Sequence, residues 1–170
     1  MSGFSKSKLI FSALKSAPLI LLFISVLSEL DLNYIEYFSF NFPFILIFYW
    51  SLKKQDIIGY GYIFLAGLIN DVATGLPIGI SSFNYMLLCG FAAYLRNITL
   101  RPSLVKDWFF FLLTILVVNS LSYSILFLFF SIDLDYQNLF FNIVLTFLLY
   151  LVFAYIFSLY QQTIFREAND

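Results

Sequence analysis

Long apolar runs separated by short polar breaks set the pattern of this chain, and the stretches Leu19 to Leu27 and Trp108 to Val118 carry no charged residue. Neither alternates apolar with polar side chains, so the period of a lipid-facing barrel strand is missing and helices are expected instead. Runs of roughly 16 to 24 residues are each about long enough to cross a bilayer. They predict spans at 9–28, 37–52, 57–75, 77–95, 107–130 and 138–160. The expected fold class is therefore all-α and integral to the membrane, with six transmembrane helices in one compact bundle. Residues 1–170 form a single polytopic domain in this reading, with no room left for a soluble one.

The composition agrees, at 62% hydrophobic and 11% charged residues with a positive mean hydropathy. Charge placement then orients the spans. Lys6, Lys8 and Lys15, then Lys53 and Lys54, then Arg96, Arg101 and Lys106, and finally Arg166 all fall at the ends or in alternate loops. The intervening loops carry only acids, namely Glu29, Asp31 and Glu36, then Asp133 and Asp135. The positive-inside rule puts both termini in the cytoplasm, and five or seven spans would scatter the basic residues over both faces. The first run lacks a small-residue cleavage site and exits through Ser28-Glu29-Leu30-Asp31, so it reads as a retained anchor. The basic loop from Arg96 through Arg101 to Lys106 is a candidate cytoplasmic docking surface as well as a topogenic signal.

What is missing narrows the chemistry. The chain has no histidine, which removes His-ligated metals, Ser/His hydrolysis and His proton relays. A lone Cys89 excludes an internal disulfide and a CxxC centre. There is no Gly-rich phosphate loop and no pair of intramembrane carboxylates for aspartyl-type hydrolysis. Neither catalysis nor a cofactor is expected.

One segment departs from the apolar background: Gly67-Leu68-Ile69-Asn70-Asp71-Val72-Ala73-Thr74-Gly75-Leu76-Pro77-Ile78-Gly79. An ionisable group at membrane depth is costly and normally functional or structural. Gly67, Asp71 and Gly75 are spaced by four, so they share one helical face above Tyr60 and Ile63 or Phe64. Small residues on such a face admit a second backbone. Gly75 suits the residue after a helix end and Pro77 the first turn of the next helix, which predicts a tight hairpin. Asp71 then lies about one turn below that hairpin. Three readings stay open for it: a latch accepting backbone N–H groups around Gly79 and Ile80, a contact to a partner's polar group, and proton or ion handling.

Further polar residues at depth are Asn84 with Tyr85, Asn119 with Ser120 and Ser122, and Asn142. They are expected to tie helices together. Asn119 and Asn142 are also candidates to face the same interior as Asp71. Tyr34, Tyr37, Trp50, Tyr94 and Trp108 lie near span ends and read as interface anchors.

The order Pro43, Tyr49-Trp50, Gly67-Leu68, Asp71, Gly75, Pro77, Gly79 and Tyr85 resembles the bacterial rod-shape-determining MreD family. These motifs cover about 43–95, and length, span layout and basic loops agree over the rest. The resemblance implies a non-enzymatic subunit of the cell-elongation machinery in the bacterial cytoplasmic (inner) membrane. Its implied partners are MreC, the polymerase RodA, the elongation transpeptidase (a penicillin-binding protein) and MreB. It also implies a bundle like the S component of energy-coupling-factor transporters, so a small-solute binding subunit is the alternative. After Gly79 the chain carries Ile80-Ser81-Ser82-Phe83 where the resemblance implies a basic residue. A groove flanked by spans three and four is the expected seat for a transmembrane helix of MreC or another partner.

Overall fold

The computed structural model describes residues 16–27, 40–99, 103–131 and 135–167, and all regular structure among them is helical. We label the helices α1 (Ser16–Leu27), α2 (Phe42–Lys53), α3 (Gln55–Ile58), α4 (Tyr60–Thr74), α5 (Ile80–Ile98), α6 (Leu104–Phe130) and α7 (Tyr136–Glu167). Apart from the single turn of α3, each corresponds to one predicted apolar run. By length and composition, two stretches among the described residues are apolar enough to cross a membrane, Leu104–Phe130 and Tyr136–Thr163. Helices α1 and α2 are shorter apolar segments.

Helix α2 starts where its sequence permits. The Asn41 side chain accepts from the Phe44 amide at 3.2 Å, and Pro43 occupies the first turn, where a missing N–H costs nothing. Every residue from Phe44 to Leu52 is then buried, as expected for a helix apolar on all sides. It packs on α5 and α7, while α5 also contacts α4 and α6. Where lipid surrounds such a core, apolar side chains gain little by leaving it, so close packing and aromatic geometry carry the association. Phe111 stacks on Tyr150 at 4.4 Å, and Phe48 lies 5.0 Å from Phe111.

This packing overturns one expectation. Trp50 is 1% exposed and its ring meets Phe157 and Tyr160, so it is a core residue rather than an interface anchor. Trp108 is half-buried, stacks on Phe147 at 4.4 Å and donates its indole N–H to the Phe147 carbonyl. Tyr94 is exposed, whereas Tyr34 and Tyr37 lie outside the described residues. Arg101, Lys15, Asp133 and the first acidic loop also lie outside them.

Three long-range contacts gather one set of helix ends: Lys53 with Asp107, Arg96 with the Ser51 carbonyl, and Tyr49 with Gln161. The Gly75–Gly79 turn and Asn41 mark the opposite end.

Candidate functional site

Helix α4 stops at Thr74 because Gly75 adopts φ 69°, a left-handed conformation that an L side chain resists. Gly79 follows at φ 105°, and α5 begins at Ile80. Pro77 was expected in the first turn of that helix. Instead it sits in the turn, where its carbonyl accepts the Ile80 amide at 3.3 Å. The two left-handed glycines reverse the chain within five residues, so α5 returns along α4 and the next helix starts about three residues later than expected.

Asp71 closes this hairpin. Fully buried, it accepts the Gly79 amide on Oδ2 at 2.7 Å and the Ser81 amide on Oδ1 at 2.8 Å. These donors are among the first N–H groups of α5, which have no partner within the helix and form its positive end. The carboxylate is therefore a latch, bonded to Gly79 and Ser81 rather than to Ile80. Asn70 donates to the Ser81 hydroxyl at 2.9 Å, and Ser82 donates to the Phe64 carbonyl at 3.0 Å. Ser81 and Ser82, standing where a basic residue was expected, thus supply the hydrogen bonds that sew α5 to α4.

Gly67 and Gly75 divide the roles that sequence spacing had given them jointly. A Cβ on Gly67 would fall 2.4 Å from Ser82 Cα, whereas one on Gly75 would meet nothing within 4 Å. The glycine face is thus narrow at Gly67 alone, and the backbone it admits is α5 of the same chain. It is not an open groove at that point. Leu68 is half-buried beside it, and Tyr85, 2% exposed, packs edge-on against Phe44 at 5.9 Å.

Beside the latch lies a cavity of about 400 Å³. Asn70 and Ser81 of the hairpin, Asn84 of α5, Asn119 and Ser122 of α6, and Asn142 of α7 all line it. The three amides singled out from the sequence therefore converge. Asn84 donates to the Ser122 hydroxyl at 2.9 Å, but its Oδ1 is buried without a partner. Asn142 and Thr146 form a long contact of 3.5 Å, and Thr146 accepts the Asn41 amide at 2.9 Å. Among the described residues, none that lines the cavity is charged.

The family model described as rod shape-determining protein MreD matches residues 5–164. The chain belongs to the MreD family. No curated protein and no solved structure matches it, so the likeness to a transporter S component gains no support from comparison. Membership accounts for the apolar helices and establishes a place in determining the rod shape of cells.

At the other end of this MreD-family chain lies an ion pair that sequence reading missed. Asp107 is 2% exposed and binds Lys53 Nζ at 2.7 Å. The sequence marks Lys53 only as a topogenic charge and Asp107 only as the border of a span. A lone acid just after Lys106 in an otherwise basic segment was the available signal, yet its partner lies 54 positions away. Of the basic loop, Arg96 is tied back to the Ser51 carbonyl at 3.2 Å and Lys106 is exposed.

Proposed function

We propose that this protein is a non-enzymatic membrane subunit of the bacterial elongation machinery that maintains rod shape by holding MreC. Through MreC it works with RodA, the elongation transpeptidase and MreB. In this reading the chain crosses the cytoplasmic (inner) membrane six times as one helical bundle with both termini inside. That orientation is supported by Lys53, Arg96 and Lys106 lying toward the end opposite the Gly75–Gly79 turn.

The observation that carries the MreC reading is the polar cavity beside the Asp71 latch, lined among the described residues by uncharged side chains. The face of α4 at Gly67 is already filled by α5, which moves the expected seat from the α4–α5 groove to this cavity. Pockets with a few convergent polar groups are where ligands and partner segments are recognised.

Ser25, 5% exposed, and Leu126, also 5% exposed, both line the cavity, so Ser25→Phe or Leu126→Trp fills its space. Loss of MreC from co-purification, with rounded cells despite normal membrane levels, is the expected result. Normal MreC recovery with both variants would place the partner elsewhere.

The same cavity gives the alternative, a small-solute binding subunit, its one specific support. A small molecule that accompanies the purified protein in native mass spectrometry, and is lost on filling the cavity while MreC stays bound, would establish that alternative instead.

A further inference from the structure

The cavity contains hydrogen-bonding groups that the described residues do not satisfy. Asn119 lines it half-buried, and its side-chain amide has no hydrogen-bond partner among the described residues. Ser122 and Tyr123 follow at three and four residues along α6 and line the same space, so one helical face presents all three. Asn84 faces them from α5, 8% exposed, with one end of its amide on Ser122 and the Oδ1 end unpaired. Buried polar groups are normally paired, and each exception calls for an explanation.

The chemistry of these groups limits what fits. A charged occupant would lose its water and meet no counter-charge among the described residues, none of which lines the cavity with an Asp, Glu, Lys or Arg. A wholly apolar occupant would leave the amides of Asn119 and Asn84 unsatisfied. A carboxamide offers an acceptor and a donor pair side by side, which matches the N–H and C=O of a peptide group. A helix inserted along its length keeps its own backbone groups bonded to one another, so only an extended or irregular segment has free ones to offer.

The geometry points to a site that recognises the main-chain amide groups of an uncharged, extended peptide segment, with Asn119 as its specificity-determining residue. This rests on the reading that MreC occupies the cavity. The occupant is accordingly a non-helical stretch of MreC rather than a transmembrane helix. Asn119 bonds to that backbone, and the Asn84 carbonyl supplies a second acceptor in the same wall.

The test is the affinity of the full-length protein for full-length MreC, both in lipid nanodiscs, alongside the thermal stability of each variant. Asn119→Leu is expected to weaken binding by about tenfold or more. Its melting temperature should not fall, because the amide bonds to nothing among the described residues. Asn119→Gln, which keeps the amide, should recover affinity to within about threefold, and Asn119→Asp should weaken binding at least as much as Asn119→Leu. Wild-type affinity for Asn119→Leu while Ser25→Phe abolishes binding would overturn amide recognition and leave the cavity as the MreC site. Wild-type affinity for Ser25→Phe as well would remove the MreC reading itself. A fall in melting temperature parallel to the loss of affinity in Asn119→Leu would make the amide structural and overturn the proposal.

Discussion

Gly67 and Ser82 meet backbone to backbone: a Cβ added to the glycine would lie 2.4 Å from Ser82 Cα and 2.5 Å from its amide nitrogen. No flexible side-chain end is available to move aside there. Close approach of this kind is how helices associate where lipid competes equally for apolar surface. It also frees Ser82 Oγ to reach the Phe64 carbonyl at 3.0 Å across the same crossing.

Gly67→Ala should therefore push α4 and α5 apart and destabilise the protein by about 1–3 kcal/mol or more, the usual cost of overpacking. Gly61 and Gly90 have nothing within 4 Å of a Cβ. Their alanine variants should be neutral or more stable, by up to about 1 kcal/mol, because helical glycine is entropically costly. Thermal unfolding in detergent separates the cases, and equal melting of Gly67→Ala and wild type would refute the contact.

Asp71 accepts two backbone donors with its two oxygens. Asp71→Asn keeps one acceptor and presents an NH₂ to the other amide, so a loss of about 1–3 kcal/mol is expected. Asp71→Leu strands both N–H groups and should cost more, with less protein in the membrane. If Asn abolishes rod-shape complementation while stability is normal, charge rather than latching is what Asp71 supplies.

Gly75 and Gly79 are needed for conformation, not space. With φ 69° and 105° and no neighbour within 4 Å, each should lose about 1–3 kcal/mol when replaced by alanine. Gly75→Asn should recover part of the loss, because asparagine tolerates the left-handed region near φ 69°. The same unfolding series checks this, and an Asn variant no better than Ala would rule out backbone strain as the cause.

The Lys53–Asp107 pair couples α2 to α6. With the Lys53 side chain 22% exposed, the pair is screened on one side only, and Asp107→Leu should cost about 1–3 kcal/mol by leaving the lysine unpaired. The double variant Lys53→Met/Asp107→Leu should restore most of that stability. Additive losses in the double-mutant cycle would show that the two charges do not interact.

The hairpin was the most legible part of the site. Asp71 and the glycines around it lie within thirteen consecutive residues, and turn chemistry is local: Gly75 ends a helix by its own backbone preference. The start of α5 was placed too early because Pro77 is equally at home in a turn and in a first helical turn. Trp50 illustrates a different limit. Its position near a span end suggested an interface anchor, but α2 is apolar on every side, so no stripe in the sequence distinguished lipid from core.

Asn84, Asn119 and Asn142 were visible as polar residues at depth, yet nothing in their spacing said that they share a cavity. Helix rotation decides that, and rotation is set by packing partners far away in the chain.

By itself the sequence determined that this is a helical membrane chain, where its apolar runs lie, where it turns at Gly75, and the family motifs around Asp71. These depend on local apolarity and backbone preference. Tertiary structure alone decided that Gly67 is filled by Ser82, that Lys53 finds Asp107, and that the amides of three helices converge on one cavity. Each of these depends on surfaces brought together across long stretches of chain, which no local preference encodes.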